Sequence, residues 1–291
     1  MRKARVEVLH PGMLTLVVDQ GRQHHAAYGV PVGGALDARS ARMAHALVGN
    51  SPHSPLLEIT WIGPRLLFRQ EVCVALTGAD LSAKLDHNCF PMNRRVQVPA
   101  GSVLTFGRAK QGVRAYLAIG GTWNIPSWLG SATALPSELE YILPQSRLNK
   151  GDVLMIGPSD GNSAWPMVPE DKFRPQIEVV IHPGPEFQLF TRESLARFFS
   201  HPYQLRPESN RMGFRLKGSP LQLEKPTELI SSGVMPGVIQ VSHDGQPIIL
   251  MADAQTSGGY PRMGVVSNEG MQQVAQWQPG THKRFVLATK R

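Results

Sequence analysis

A chain of 291 residues can fold as one large or two medium domains, each with its own core. Hydrophobic residues at 42% and charged residues at 18% exclude a disordered chain, while 28 Gly and 24 Pro favour short elements and tight turns over long helices. The formal charge of +8 is scattered, in pairs such as Arg94-Arg95 and Lys283-Arg284, and aromatics are only 7%; a nucleic-acid binder concentrates charge on one element, so a solvated basic surface is expected and no nucleic-acid partner.

Strand-like segments follow one another between turn signals. Val6–Leu9 stops at His10-Pro11-Gly12, Leu14–Asp19 at Gln20-Gly21, and Leu57–Trp61 at Gly63-Pro64, with Leu66–Phe68 next. Val72–Thr77 is a nearly continuous apolar run, the pattern of a strand buried on both faces. Val96–Val98, Ser102–Phe106 and Arg114–Ile119 continue the series. Two helices are expected. Asp37–Leu47 has a capping Asp37 and places Ala41, Ala44 and Leu47 on one face; Thr191–Phe199 has Thr191 as cap and Glu193 in its first turn. The fold class is therefore mainly β. Residues 160–174, rich in Ser, Pro, Gly and Asn, read as a linker between domains at 1–165 and 166–291. The triplets His10-Pro11-Gly12 and His182-Pro183-Gly184, each after a strand-like run, suggest that the two halves are related.

Cys73 and Cys89 form no C-x-x-C, so no zinc site and no disulfide framework is expected. The histidines show no H-E-x-x-H, and neighbours such as His24-His25 point to opposite faces of a strand, so no metal is expected. No stretch approaches the roughly 18 apolar residues that span a bilayer, and the N-terminus has no apolar signal core. No membrane association and a cytoplasmic location are the expectations. There is no G-x-x-x-x-G-K-[ST] to cradle a triphosphate and no G-x-S-x-G nucleophile turn.

The second half carries the most distinctive text. Ser209-Asn-Arg-Met-Gly-Phe-Arg-Leu216 is followed by Glu228-Leu-Ile-Ser-Ser-Gly-Val-Met-Pro-Gly-Val-Ile-Gln240, then by Asp244–Asp253 and Ala254-Gln-Thr-Ser-Gly-Gly-Tyr-Pro-Arg262. In the first half, Asp19-Gln-Gly-Arg22, Gly34-Ala-Leu-Asp37, Leu57-Glu-Ile-Thr60 and Tyr116-Leu-Ala-Ile-Gly-Gly121 stand in matching order. Across nearly its whole length the chain resembles the family variously called the C-type subunit of 5-oxoprolinase, KipA, allophanate hydrolase subunit 2 or biotin-dependent carboxyltransferase. The resemblance implies two cyclophilin-like β-barrels in tandem with a few short helices. It implies a B-type, KipI-like partner and an A-type subunit. It implies ATP with Mg at the level of the complex, biotin not on this chain, and a small-molecule substrate. The implied reaction is the opening of the 5-oxoproline lactam to glutamate. The alternatives are a regulatory protein that sequesters a KipI-like kinase inhibitor, and carboxyl transfer from carboxybiotin. Three departures stand out: His24 replaces a glycine, Gly130-Ser-Ala-Thr-Ala134 lacks the arginine of Gly-Ser-Arg-Ser-Thr, and Ser137–Pro144 replaces glycine turns.

Lactam opening needs cations and oriented donors where negative charge develops, and a carboxylate to handle the proton of water. Arg211 suits a clamp on a substrate carboxylate or phosphate, with a surface ion pair as its alternative. Asp253, after the apolar run Pro247–Met251, suits a base or metal anchor; otherwise it caps its own turn. Gln255 can orient a carbonyl. These three are the expected catalytic residues. Arg22, Gln240, Thr256, Gly258, Gly259 and Tyr260 are expected to bind substrate, the two glycines by letting backbone N–H groups approach it. Asp37 reads as a helix cap, and Asn50 and Glu58 as loop and packing residues.

Overall fold

The computed structural model describes residues 3–158 and 176–288; the expected linker at 160–174 lies outside them. The chain divides into two compact units, one built from residues 3–22 and 33–158, the other from 23–32 and 176–288.

The first unit holds two antiparallel sheets. One has six strands in the order Val153–Ile156, Ala4–His10, Arg65–Phe68, Val103–Thr105, Lys84–Leu85 and Asn88–Cys89. The other has five, in the order Leu14–Val18, Leu56–Thr60, Gln111–Ile119, Val72–Asp80 and Arg95–Val98. Val6, Val8, Leu66 and Phe68 from the first meet Val17, Leu57, Ile59, Val74, Leu76 and Leu117 from the second in one core. The far face of the five-stranded sheet is covered by helix α1 (Ala38–Val48), whose Ala41, Ala44 and Val48 pack on Leu16, Val18, Ala75, Tyr116 and Ala118. Val72–Asp80 thus has an apolar layer on each face, which explains its continuous apolar run.

Helix α1 starts where Asp37 accepts from the Ser40 N–H at 3.0 Å and stops at Gly49, left-handed at φ 76°. Asn50 then bridges two strand-end groups, donating to the Ile119 carbonyl and accepting from the Gly121 N–H, both at 2.9 Å.

The second unit is a closed barrel of seven strands. Around it run Glu178–Pro183, Arg262–Val266, Val238–Val241, Pro247–Leu250, Gly213–Lys217, Tyr203–Leu205 and His282–Leu287. Every pairing is antiparallel except the closing one, Glu178–Pro183 on His282–Leu287, which is parallel. Helix α2 (Arg192–Ser200), capped by Thr191, seats Phe198 on the Phe285 ring at 4.8 Å and on Tyr203 at 5.1 Å. Helix α3 (Asn268–Ala275) was not anticipated; Ser267 caps it by accepting from the Gly270 N–H at 3.0 Å.

The two His-Pro-Gly triplets play the same packing role. Each follows or ends a strand, and each glycine lies against a neighbouring backbone where a Cβ has no room. A Cβ on Gly12 would stand 2.4 Å from the Ile62 carbonyl oxygen, and one on Gly184 would stand 2.2 Å from that of Arg262.

Candidate functional site

Arg211 sits in a loop that its neighbours hold. The Asn210 side chain accepts from the N–H groups of Met212 and Gly213 at 2.9 and 3.3 Å, and Ser209 Oγ accepts from the Arg215 N–H at 3.0 Å. Asp253 follows the strand Pro247–Leu250. The two residues meet in a bidentate pair: Arg211 Nε donates to Asp253 Oδ2 at 2.8 Å and Nη2 to Oδ1 at 2.9 Å. Their backbones are joined as well, Asp253 N–H to the Arg211 carbonyl at 2.9 Å. Arg211 is 7% exposed and Asp253 5%, so the pair is a buried peg under the loop that follows.

That loop carries the other expected residues of the second half. Gln255, exposed, donates from Nε2 to Gln240 Oε1 at 3.3 Å, and the fully buried Gln240 donates from its own Nε2 towards the Tyr260 carbonyl at 3.5 Å. A Cβ on Gly258 would lie 2.6 Å from Gln240 Nε2, so glycine is what lets the chain pass over this amide. Ser257–Gly258 pairs with Ser232–Gly233 as a short two-stranded ribbon, and the Val234 N–H reaches the Thr256 carbonyl at 3.0 Å. Gly259 faces Leu229 O and Ser231 Oγ, each 3.3 Å from where its Cβ would be. Tyr260 stands edge-on to His243 at 5.2 Å. Arg211, Gln240, Asp253, Gln255, Thr256, Gly258, Gly259 and Tyr260 therefore form one linked set: buried charge beneath, with amide, hydroxyl and backbone groups at the surface.

Arg262 and Glu186 belong with this set and were given no role from sequence. Arg262 Nε donates to Glu186 Oε2 at 2.8 Å and Nη2 to Oε1 at 2.6 Å, while Nη1 reaches the Gly233 carbonyl at 3.3 Å. One guanidinium thus ties the ribbon to the turn after Gly184. The Arg262 hydrogen bond holds the Glu186 carboxyl below its ordinary range against the opposing effect of burial. The signal in the sequence was the arginine closing Gly-Gly-Tyr-Pro-Arg262, but its partner lies 76 residues away.

Arg22 lies in the first unit, in a different cluster. It is 1% exposed, donates to the Thr133 carbonyl and lies 5.4 Å from the centre of the Trp128 ring. Asp19 organises the loop around it. Its carboxylate accepts from Gly21 N–H, Ser131 Oγ, Thr133 Oγ1 and Ala132 N–H at 2.6 to 2.8 Å. The loop Gly130–Ala134 is thus pinned to Asp19 through its backbone and hydroxyls, and Ala132, 4% exposed, packs into the core. Behind it, Glu58 accepts from the Leu36 N–H at 2.9 Å and the Tyr116 hydroxyl at 2.8 Å, with Arg114 Nε at 3.9 Å. Burial, with the charge of Glu58, pushes the Tyr116 phenol well above its usual pKa.

Among the described residues, no group of three or more His, Cys, Asp or Glu is placed to hold a metal ion, and no helix is long and apolar enough to cross a membrane. Arg22, expected to bind substrate, and Arg211, expected to clamp a carboxylate or phosphate, are both buried and engaged with protein groups. As placed, they do not fit the role of a triphosphate cradle.

A mainly β chain with a closed seven-stranded barrel, further sheets and few helices is an architecture of the carboxyltransferase type. The structure matches the crystal structure of the K. lactis urea amidolyase with a TM-score of 0.88 at 29% identity, covering 99% of this chain and 19% of that one. Residues 28–287 match the family model described as carboxyltransferase domain, subdomain A and B, and the chain belongs to that family. It is 39% identical to the C-type subunit of 5-oxoprolinase from Escherichia coli strain K12, over 97% of this chain and 90% of that protein. It is 32% identical to the corresponding 5-oxoprolinase protein of Haemophilus influenzae, over 96% and 90%.

Proposed function

We propose that this chain is the C-type subunit of a 5-oxoprolinase-type complex, taking part in ATP-dependent hydrolysis of 5-oxoproline to glutamate. The observation that carries the reading is the 39% identity to the C-type 5-oxoprolinase protein of E. coli over 90% of its length. The match to the K. lactis urea amidolyase, by contrast, takes in 19% of a much longer chain.

The chemistry of the ribbon agrees with a lactam substrate. A lactam offers an N–H and a carbonyl, and the surface of the set offers the Gln255 amide, the Thr256 and Tyr260 side chains and the backbone of Gly258 and Gly259. Arg211 and Asp253, expected as catalytic residues, take a positioning role in this reading. Each occupies the other's hydrogen-bonding groups, and together they fix the loop that presents Gln255. Phosphorylation of the lactam oxygen would make it a leaving group; in this reading ATP with Mg acts at the level of the complex, and biotin is not carried on this chain.

The test is to mix the purified chain with its cognate A-type and B-type subunits, 5-oxoproline and ATP, and to measure glutamate. Gln255→Ala and Tyr260→Phe, both at exposed positions, should lower the rate by about tenfold or more with unchanged melting temperature. Absence of glutamate with every cognate partner removes the reading. Tight binding of a KipI-like partner without turnover, indifferent to Asp253→Ala, would instead identify a regulatory protein. The likeness to the urea amidolyase favours a further reading, carboxyl transfer from a separate biotin carrier; retention of the chain on carboxylated carrier protein would distinguish it.

A further inference from the structure

The first unit contains a cavity of about 400 Å³ that the lactam reading does not use. Its frame is the hairpin Lys84–Leu85 and Asn88–Cys89, together with the loop at Asn93 and the C-terminal end of the strand Val72–Asp80. Lys84 is paired directly with Cys89 across the hairpin, so the two side chains share one face and both line the cavity.

The frame is held in an uncommon backbone. Six non-glycine residues have positive φ among those described, and three of them are here: Ser82 at 52°, Asp86 at 54° and Asn93 at 57°. Such conformations cost on the order of 1 kcal/mol each and persist where surrounding bonds fix them. Those bonds are present. The Ser82 N–H donates to Asp80 Oδ1 at 2.8 Å, the Asp86 side chain accepts from the Val103 N–H at 2.9 Å, and the Asn93 N–H donates to the Leu76 carbonyl at 2.8 Å.

The lining divides by chemistry. Ala83 and Phe90, both buried in the core, and Met92, packed against it, give an apolar floor. Lys84 and Lys110 give two ammonium groups at the wall. Asp80 is the one acid in the lining; its Oδ1 is taken by Ser82, and its Oδ2 lies 3.9 Å from Lys110 Nζ. Among the described residues Lys84 has no carboxylate within ion-pair distance. The cavity is therefore net positive over an apolar base, within the size range of small-molecule sites.

We propose that this cavity binds a small organic carboxylate, its anionic end at Lys84 and Lys110 and its apolar body on Phe90 and Met92. The exposed Cys89 thiol supplies the readout. Alkylation of Cys89 in the full chain is followed by mass spectrometry with iodoacetate, an anion, and iodoacetamide, its neutral counterpart. The iodoacetate-to-iodoacetamide rate ratio should exceed that of an unstructured cysteine peptide by about fivefold, falling at high salt. In K84Q/K110Q, whose changes lie on exposed side chains, the ratio should return to the peptide value. Phenylacetate should slow iodoacetamide labelling of Cys89 in the unaltered chain and not in that variant. A ratio equal to the peptide's, or protection by inorganic phosphate but none by phenylacetate, would overturn the assignment. None of these measurements depends on glutamate formation, so they stand or fall apart from the lactam reading.

Discussion

Replacing Asp253 by Ala isolates the physics of the buried peg. The Arg211 side chain is 8% exposed and its partner's 7%, so water cannot take over the missing carboxylate. Removing one member of such a pair leaves a desolvated charge and costs about 3–5 kcal/mol. The loss of two charge-assisted hydrogen bonds gives a figure of the same size. In a unit of this length, about 1 kcal/mol corresponds to roughly 4 °C, so Asp253→Ala should lower the melting transition of the second unit by about 12 °C or more. Calorimetry can follow this, with urea unfolding read from Trp277, which is buried in that unit. The control is the double change R211M/D253L. It replaces the pair by apolar groups and should recover at least half of the loss, because neither charge is left behind. A loss below about 1 kcal/mol for Asp253→Ala, or a double variant as unstable as the sum of the singles, would show that the two charges are not held together away from water.

Other consequences can be checked the same way. Burial pushes the His45 pKa down to about 4, against opposing pulls from the Ser54 backbone and Asp19; the unfolded chain takes up that proton more readily. Stability should therefore be full above pH 6.5 and fall between about 6.5 and 4, by up to about 3 kcal/mol, and His45→Leu should flatten that stretch of the unfolding profile. Burial likewise pushes the Lys283 ammonium down to about 8, although it donates to the Gln176 carbonyl and lies 5.9 Å from the Trp277 ring. The unfolded state then holds the extra proton between about pH 8 and 10.5, so stability of the second unit should rise across that range, and Lys283→Met should abolish the rise. Gly184→Ala should prevent folding of the barrel, read as loss of its cooperative melt. Gly233→Ala, where a Cβ meets nothing within 4 Å, should fold normally.

Local signals were legible in the sequence, and long-range ones were not. Asp37 and Thr191 announced their helices because a cap acts within three residues. The same signal stood at Ser267, with Glu269 in the first turn, but Gly270 and a run of polar residues masked the apolar face. The loop 253–260 and Arg211 could each be marked by their polar density. Their bond could not, since it spans 42 residues and depends on the neighbouring strands Gly213–Lys217 and Pro247–Leu250. The use of Asp19 was hidden for the same reason: it is the clamp for a loop more than 110 positions further on. The family resemblance singled out these segments without saying which of their side chains touch.

The parallel closure of the barrel sets a timetable for biosynthesis. The strand Glu178–Pro183 emerges from the ribosome early, yet its partner across the seam, His282–Leu287, is made about a hundred residues later. Until then Glu178–Pro183 and Tyr203–Leu205, the two strands that His282–Leu287 will join, each keep an unpaired edge open to other chains. Shortening the protein inside His282–Leu287 would leave that seam permanently open, and aggregation during expression, rather than loss of a single function, is the outcome to look for.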